Sequence, residues 1–146
     1  MKVNDKQIGG EHYRSKVQHW DFVSLNGISY VLGCATKYVS RWRKKHNYPE
    51  LFRQVASCFG VKLPTPQEDL LKSVHYIEKA IELHKAGRLP APGSLLRPVV
   101  SVDDFAKANK LTPQEREVIW ILTCWDDPDQ LRTAILHIEE MAKESK

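Results

Sequence analysis

Lys37, Arg41, Lys44 and Lys45 stand at i, i+4, i+7 and i+8 of a segment whose apolar residues recur with a helical period. That spacing sets the four cations along one side of a helix, and Arg43 adds charge nearby. No acidic residue occurs between Asp21 and Glu50, so nothing local neutralises the stripe. Like charges four residues apart weaken an isolated helix, and an anion lying across them removes that repulsion. The chemistry such a stripe suits is the holding of a phosphate. The plain alternative is a solvated helix face.

Two further segments carry residues of the same kind. In Gly9-Gly10-Glu11-His12-Tyr13, paired glycines let successive backbone N–H groups converge on one anion, while His12 and Tyr13 add donors and a ring for stacking. An ordinary N-terminal loop is the competing reading. Asp69, Lys72 and Tyr76 fall at i, i+3 and i+7 near the start of another helix, with His75 beside them. A carboxylate there can position the basic stripe or meet a sugar hydroxyl; it can also be one of the acids that a helix N-terminus favours.

Other chemistries lack their residues. There is no GxxxxGK[ST], so any phosphate site is not a P-loop, and there is no GxSxG and no GxGxxG after a strand. His12, His19, His46, His75, His84 and His137 are scattered, with no HExxH and no clustered Cys/His spacing, so no metal site is expected.

The elements that must position these residues are helices. Trp20 to Leu25 reads as a short one, stopped by Asn26-Gly27. Ile28, Val31, Leu32, Ala35, Tyr38, Val39 and Trp42 mark one apolar face of a helix from Ile28 to Lys45. A third, from Pro49 to Phe59, is expected to bury Leu51, Phe52, Val55 and Phe59. Thr65-Pro66-Gln67-Glu68 is a capping-box start for a helix to Ala86, with Leu70, Leu71, Val74, Ile77 and Ile81 inward. Ser101 caps a short helix to Asn109, Thr112-Pro113-Gln114-Glu115 repeats the capping box, and Asp127-Pro128 opens a last helix to Lys143. No alternating strand pattern is longer than Pro98–Val102, so any sheet is expected to be minor. The expected class is all-α, with a helical domain over 1–87, a proline-rich linker over 88–100 and an acidic three-helix appendage over 101–146.

Charge follows the same division. Residues 1–60 hold 10 Lys/Arg against 4 Asp/Glu, and residues 101–146 hold 6 against 10, so anion binding is expected of the first part. Cys34, Cys58 and Cys124 are expected to be buried thiols in a reducing compartment. No apolar run is long enough for a membrane span and no signal-peptide pattern opens the chain, so the expected location is cytoplasmic, with no membrane partner. Trp120, Trp125 and the apolar run Val118–Leu122 exceed what three small helices hide, which predicts a homo-oligomer.

In order, IGGEHY, GCATKYVSRWRKK and EDLLKSVHYIEKAIEL resemble a small bacteriophage domain with the pattern GG-x-HY, G-x-A-x-K-Y-x-x-R-x-x-x-K and D-L-x-K-A-x-x-Y-I. Its best-understood relative is the T7-type phage nucleotide kinase, which lacks a P-loop. The likeness covers residues 8–83; Ser73 replaces the usual alanine, and the stretch from His46 to Leu63 is longer than in simple members. The resemblance implies a nucleotide ligand, with Mg2+ as its candidate companion. It implies Lys37, Arg41 and Lys45 on phosphates. Gly9 and Gly10 would help; His12, Tyr13 or Tyr76 would meet base or sugar, and Asp69 would orient the cations or the ribose. Lys44, from the basic stripe, and Tyr38 and Lys72, at matched positions, are further ligand-binding candidates. Lys37, Arg41 and His12 are the catalytic candidates if a phosphoryl group is transferred to a nucleoside monophosphate. A non-catalytic protein that sequesters a nucleotide messenger in the infected bacterial cytoplasm is the alternative. A DNA-binding protein using the basic helix 28–45 is the third reading.

Overall fold

A computed structural model describes residues 16–93 and 97–145. Its helices begin where side-chain acceptors meet orphan backbone donors. Thr65 accepts from the Glu68 N–H and the Glu68 carboxylate accepts from the Thr65 N–H, and the same reciprocal pair joins Thr112 and Glu115. Ser29, Ser101 and Asp127 cap three other helices. The order is α1 (His19–Leu25), α2 (Tyr30–Lys45), α3 (Glu50–Cys58), α4 (Pro66–Lys85), α5 (Val102–Asn109), α6 (Pro113–Cys124) and α7 (Pro128–Glu144). The all-α expectation holds, and no strand forms among the described residues, Pro98–Val102 included. None of these helices is long and apolar enough to cross a membrane.

The α2–α4 pair is the most extensive packing in the molecule, and α7 covers the other side of α4. Leu32, Ala35 and Val39 of α2 meet Leu70, Ile77 and Ala80 of α4 in one core, which continues without a break into Phe105, Val118, Ile119, Leu122, Leu131 and Ile138. Phe22 of α1 stacks on Phe105 of α5, with ring centroids 4.2 Å apart. Helices on both sides of the proline-rich segment therefore share a core. That segment is tied down at both ends: the Asn26 side-chain amide donates to the Val100 carbonyl and accepts from the Val100 N–H, and the Gly93 N–H donates to the Trp125 carbonyl.

Gly33 sets how closely α1 approaches α2. A Cβ added there would lie 2.9 Å from Val23 Cγ1, inside contact distance. Gly27, at φ +63°, makes the turn between the same two helices in a region that side chains disfavour.

Several expectations change. Trp125 is buried, as are Val118, Ile119 and Leu122, because α6 lies against α2, α5 and α7; Trp120 is half-exposed. The apolar excess that predicted self-association through the C-terminal helices is thus largely covered within one chain. Leu71 points outward, and Cys58 is exposed while Cys34 is only half-buried; Cys124 alone matches the expected buried thiol. The largest change is α3. Leu51, Phe52, Val55 and Phe59 are 72%, 51%, 46% and 80% exposed, and Ala56 is the buried residue of that helix. The core is already filled from α2, α4, α6 and α7. A helical period reports an apolar face, not what covers it.

Candidate functional site: a cationic groove lined by tyrosines

Residues four apart on α2 stand one above another. Tyr30, Cys34 and Tyr38 follow this spacing, and Arg41 and Lys45 extend the same side toward the helix C-terminus. Opposite them, α4 presents Lys72, His75 and Tyr76. The Tyr38 and Tyr76 rings stack at 5.9 Å with planes 20° apart. The Arg41 guanidinium lies 5.3 Å from the Tyr38 centroid and the Lys72 ammonium 5.7 Å from it, both within cation–π range. An open groove of about 570 Å³ runs here, lined by Tyr38, Glu68, Leu71, Lys72, His75 and Tyr76.

Beneath the groove, the Asp69 side chain is fully buried. His46 Nε2 is 2.9 Å from Asp69 Oδ2, Lys45 Nζ is 3.6 Å from the same oxygen, and Lys72 Nζ donates to Oδ1 at 3.3 Å. Burial pushes this carboxyl up, but the His46 hydrogen bond, the Lys45 charge and the Lys72 hydrogen bond prevail and hold it below the usual carboxylate value. An ionised Asp69 in that position fixes Lys45 and Lys72 from below. It has no exposed surface with which to meet a ribose.

On the α1 side, burial lowers the His19 pKa from 6.5 to about 4, and the nearby charges of Lys37 and Arg41 act in the same direction. The Thr36 hydroxyl donates to the Gly33 carbonyl at 2.9 Å, so it accepts from His19 Nε2, also at 2.9 Å. His19 is therefore a neutral donor that holds α1 on α2 and adds no charge to the stripe. The hydroxyls of Tyr30 and Tyr76 both titrate above the ordinary phenol value. For Tyr30 the chief cause is a hydrogen bond with Cys34, and for Tyr76 it is the charge of the Cys34 sulfur. Both rings stay neutral at physiological pH and can donate.

The four-cation stripe is divided by the fold. Lys37 and Arg41 lie toward α1 and the tyrosines, and Lys45 turns to Asp69. Lys44 donates to the Asn109 carbonyl, and Arg43 forms a bidentate pair with Glu115 (Nε–Oε1 2.7 Å, Nη2–Oε2 2.9 Å). Lys44 thus forms a strut between α2 and the end of α5. The stripe's missing local acids are supplied from a distance by Asp69 and Glu115. Of the expected site residues, Tyr38, Arg41, Lys45, Asp69, Lys72 and Tyr76 come together, with Lys37 alongside. Gly9, Gly10, His12 and Tyr13 lie outside the described residues.

His75, expected beside Asp69, Lys72 and Tyr76, lines the groove, whereas His46, Cys34 and Tyr30 belong to this neighbourhood and were not among the expected site residues. Tyr30 and Cys34 were legible, since they continue the Tyr38 row by fours. His46 directly follows the Lys44-Lys45 pair, but its partner is 23 residues away and no local pattern announces it. The described residues contain no group of His, Cys, Asp and Glu able to hold a metal ion. Compared with protein-family models, curated proteins and solved structures, the chain finds no match in any of the three.

Proposed function

We propose that this chain is a phage-type nucleotide-binding protein of the infected bacterial cytoplasm, with its ligand in the groove between α2 and α4. The observation that carries the reading is the stacked Tyr38–Tyr76 pair with Arg41 and Lys72 set against the Tyr38 ring. A base lies on the exposed aromatic surface, where stacking contributes about 1–3 kcal/mol. The phosphates face Lys37, Arg41, Lys45 and Lys72, and Asp69 holds two of those cations in place.

Capture of the nucleotide is favoured over phosphoryl transfer. Asp69 is committed to three cationic or donor partners, and Glu68, the groove's carboxylate among the described residues, closes the helix cap and pairs with Lys62. Neither is free to position Mg2+ or an attacking hydroxyl. Groove binding to DNA is disfavoured because Arg43 and Lys44 already join α2 to α5 and α6.

Calorimetry against nucleoside mono-, tri- and cyclic phosphates, with and without Mg2+, tests the reading. At least one of them should bind stoichiometrically without turnover. Lys37→Ala with Arg41→Ala should weaken that binding about 100-fold, the loss of two charge-assisted contacts. Unchanged affinity in the double variant would reject the site. Labelled product from a monophosphate plus a triphosphate would replace capture by kinase activity.

A further inference from the structure

α3 is nine residues long, too short to persist in water without packing. It nevertheless has no extensive contact with any other helix. The Tyr48 ring stacks on Phe52 at 5.6 Å, and Ala56 is buried, but the remaining apolar side chains face outward. Val61, 55% exposed, continues the face beyond the helix end. The face carries no group that would recognise a small polar ligand.

Area and charge identify the occupant. Leu51, Phe52, Val55, Phe59 and Val61 together leave roughly 600 Å² uncovered, the upper end of what a typical monomer shows. Two such faces together bury about 1,200 Å², the lower bound of a specific interface. The charges at the two ends of the helix are complementary between copies in the antiparallel orientation. Glu50 stands at the N-terminal end, where it accepts from the Gln54 amide at 3.5 Å, and Lys62 stands just past the C-terminal end, where its 86% exposed side chain also lies 3.6 Å from Glu68. Parallel pairing would set Glu50 against Glu50 and Lys62 against Lys62. Antiparallel pairing about a two-fold axis near Val55 brings each Glu50 toward the other copy's Lys62, places Leu51 beside the other copy's Phe59, and opposes the two helix dipoles.

We propose that α3 is the surface through which two copies of this chain associate, as an antiparallel helix pair closed by Glu50–Lys62 contacts at each end. The pairing is independent of the nucleotide reading.

Sedimentation equilibrium of the full chain over a dilution series reaching about 100 μM tests it. A dimer is expected. Val55→Asp with Phe59→Asp should weaken it about 100-fold or more, with helix content and melting temperature retained because both side chains are exposed. Glu50→Lys should weaken the dimer about tenfold, and adding Lys62→Glu should restore it. The charge-reversal pair decides the matter if the double aspartate variant misfolds. A monomer at every concentration would overturn the proposal. So would a dimer indifferent to the α3 variants, including one lost only when residues 1–15 are removed.

Discussion

At the scale of single residues, proton binding is where the fold departs most from model chemistry. His19 is folded in its neutral form, with a pKa near 4 against 6.5 when exposed. Between those values the unfolded chain binds a proton that the native chain refuses. Stability contributed by His19 is therefore complete above pH 6.5 and is lost as the pH falls toward 4, by roughly 3 kcal/mol in all. Urea titrations at stepped pH should show the midpoint falling across that window. His19→Gln keeps a donor for Thr36 and cannot titrate, so its curve should be flatter than the wild type's; parallel curves would contradict the assignment. Asp69 acts lower on the scale. Its folded pKa lies below its unfolded value near 4, so its contribution is present above pH 4 and disappears as the pH falls through the folded value. Of these two groups the sequence marked Asp69 and passed over His19. Asp69 sits three residues before a lysine on a readable helix, whereas the burial of His19 depends on α2 and on Phe105, whose ring lies 6.2 Å away.

At the scale of elements, α2 has two working faces joined at its C-terminal end. One carries the tyrosines and the groove cations. The other anchors α6 through Glu115, which accepts from Trp42 Nε1 at 2.7 Å, pairs with Arg43, and also accepts from the Thr112 N–H. Glu115→Ala removes all of these contacts at once and leaves a buried indole N–H without its acceptor. A loss of about 3 kcal/mol is expected in chemical denaturation. Glu115→Gln should retain the Trp42 bond and lose less. If the alanine variant is as stable as the parent, the link between α2 and α6 is incidental. The helix starts were the legible part of this arrangement, because a capping box is closed within four residues. Glu115 was legible as a cap, but not as an anchor for Arg43, which lies 72 residues away. The apolar face of α3 was legible too, while its exposure was not, since periodicity cannot distinguish a core from a second molecule.

At the scale of the whole molecule, the two charge-biased parts of the chain form one body. α4 packs on α2 with one side and on α7 with the other, and α2 also touches α6. The proline-rich stretch was readable from composition as a break between helices, and in the structure it is one. Composition says nothing of whether cores are separate, because that depends on contacts between residues far apart in sequence, such as Trp42 with Glu115. The way this stretch is pinned, by Asn26 at Val100 and by Trp125 at Gly93, has a consequence for covalent continuity. The chain crosses between its two groups of helices once, while the interface between those groups is apolar and broad. Peptide linkage there is needed for proximity during folding more than for cohesion afterwards. Residues 1–93 and 94–146, produced as separate polypeptides and refolded together, should elute as a one-to-one complementation complex with native helix content. Two species migrating apart would mean that the crossing itself holds the halves in register.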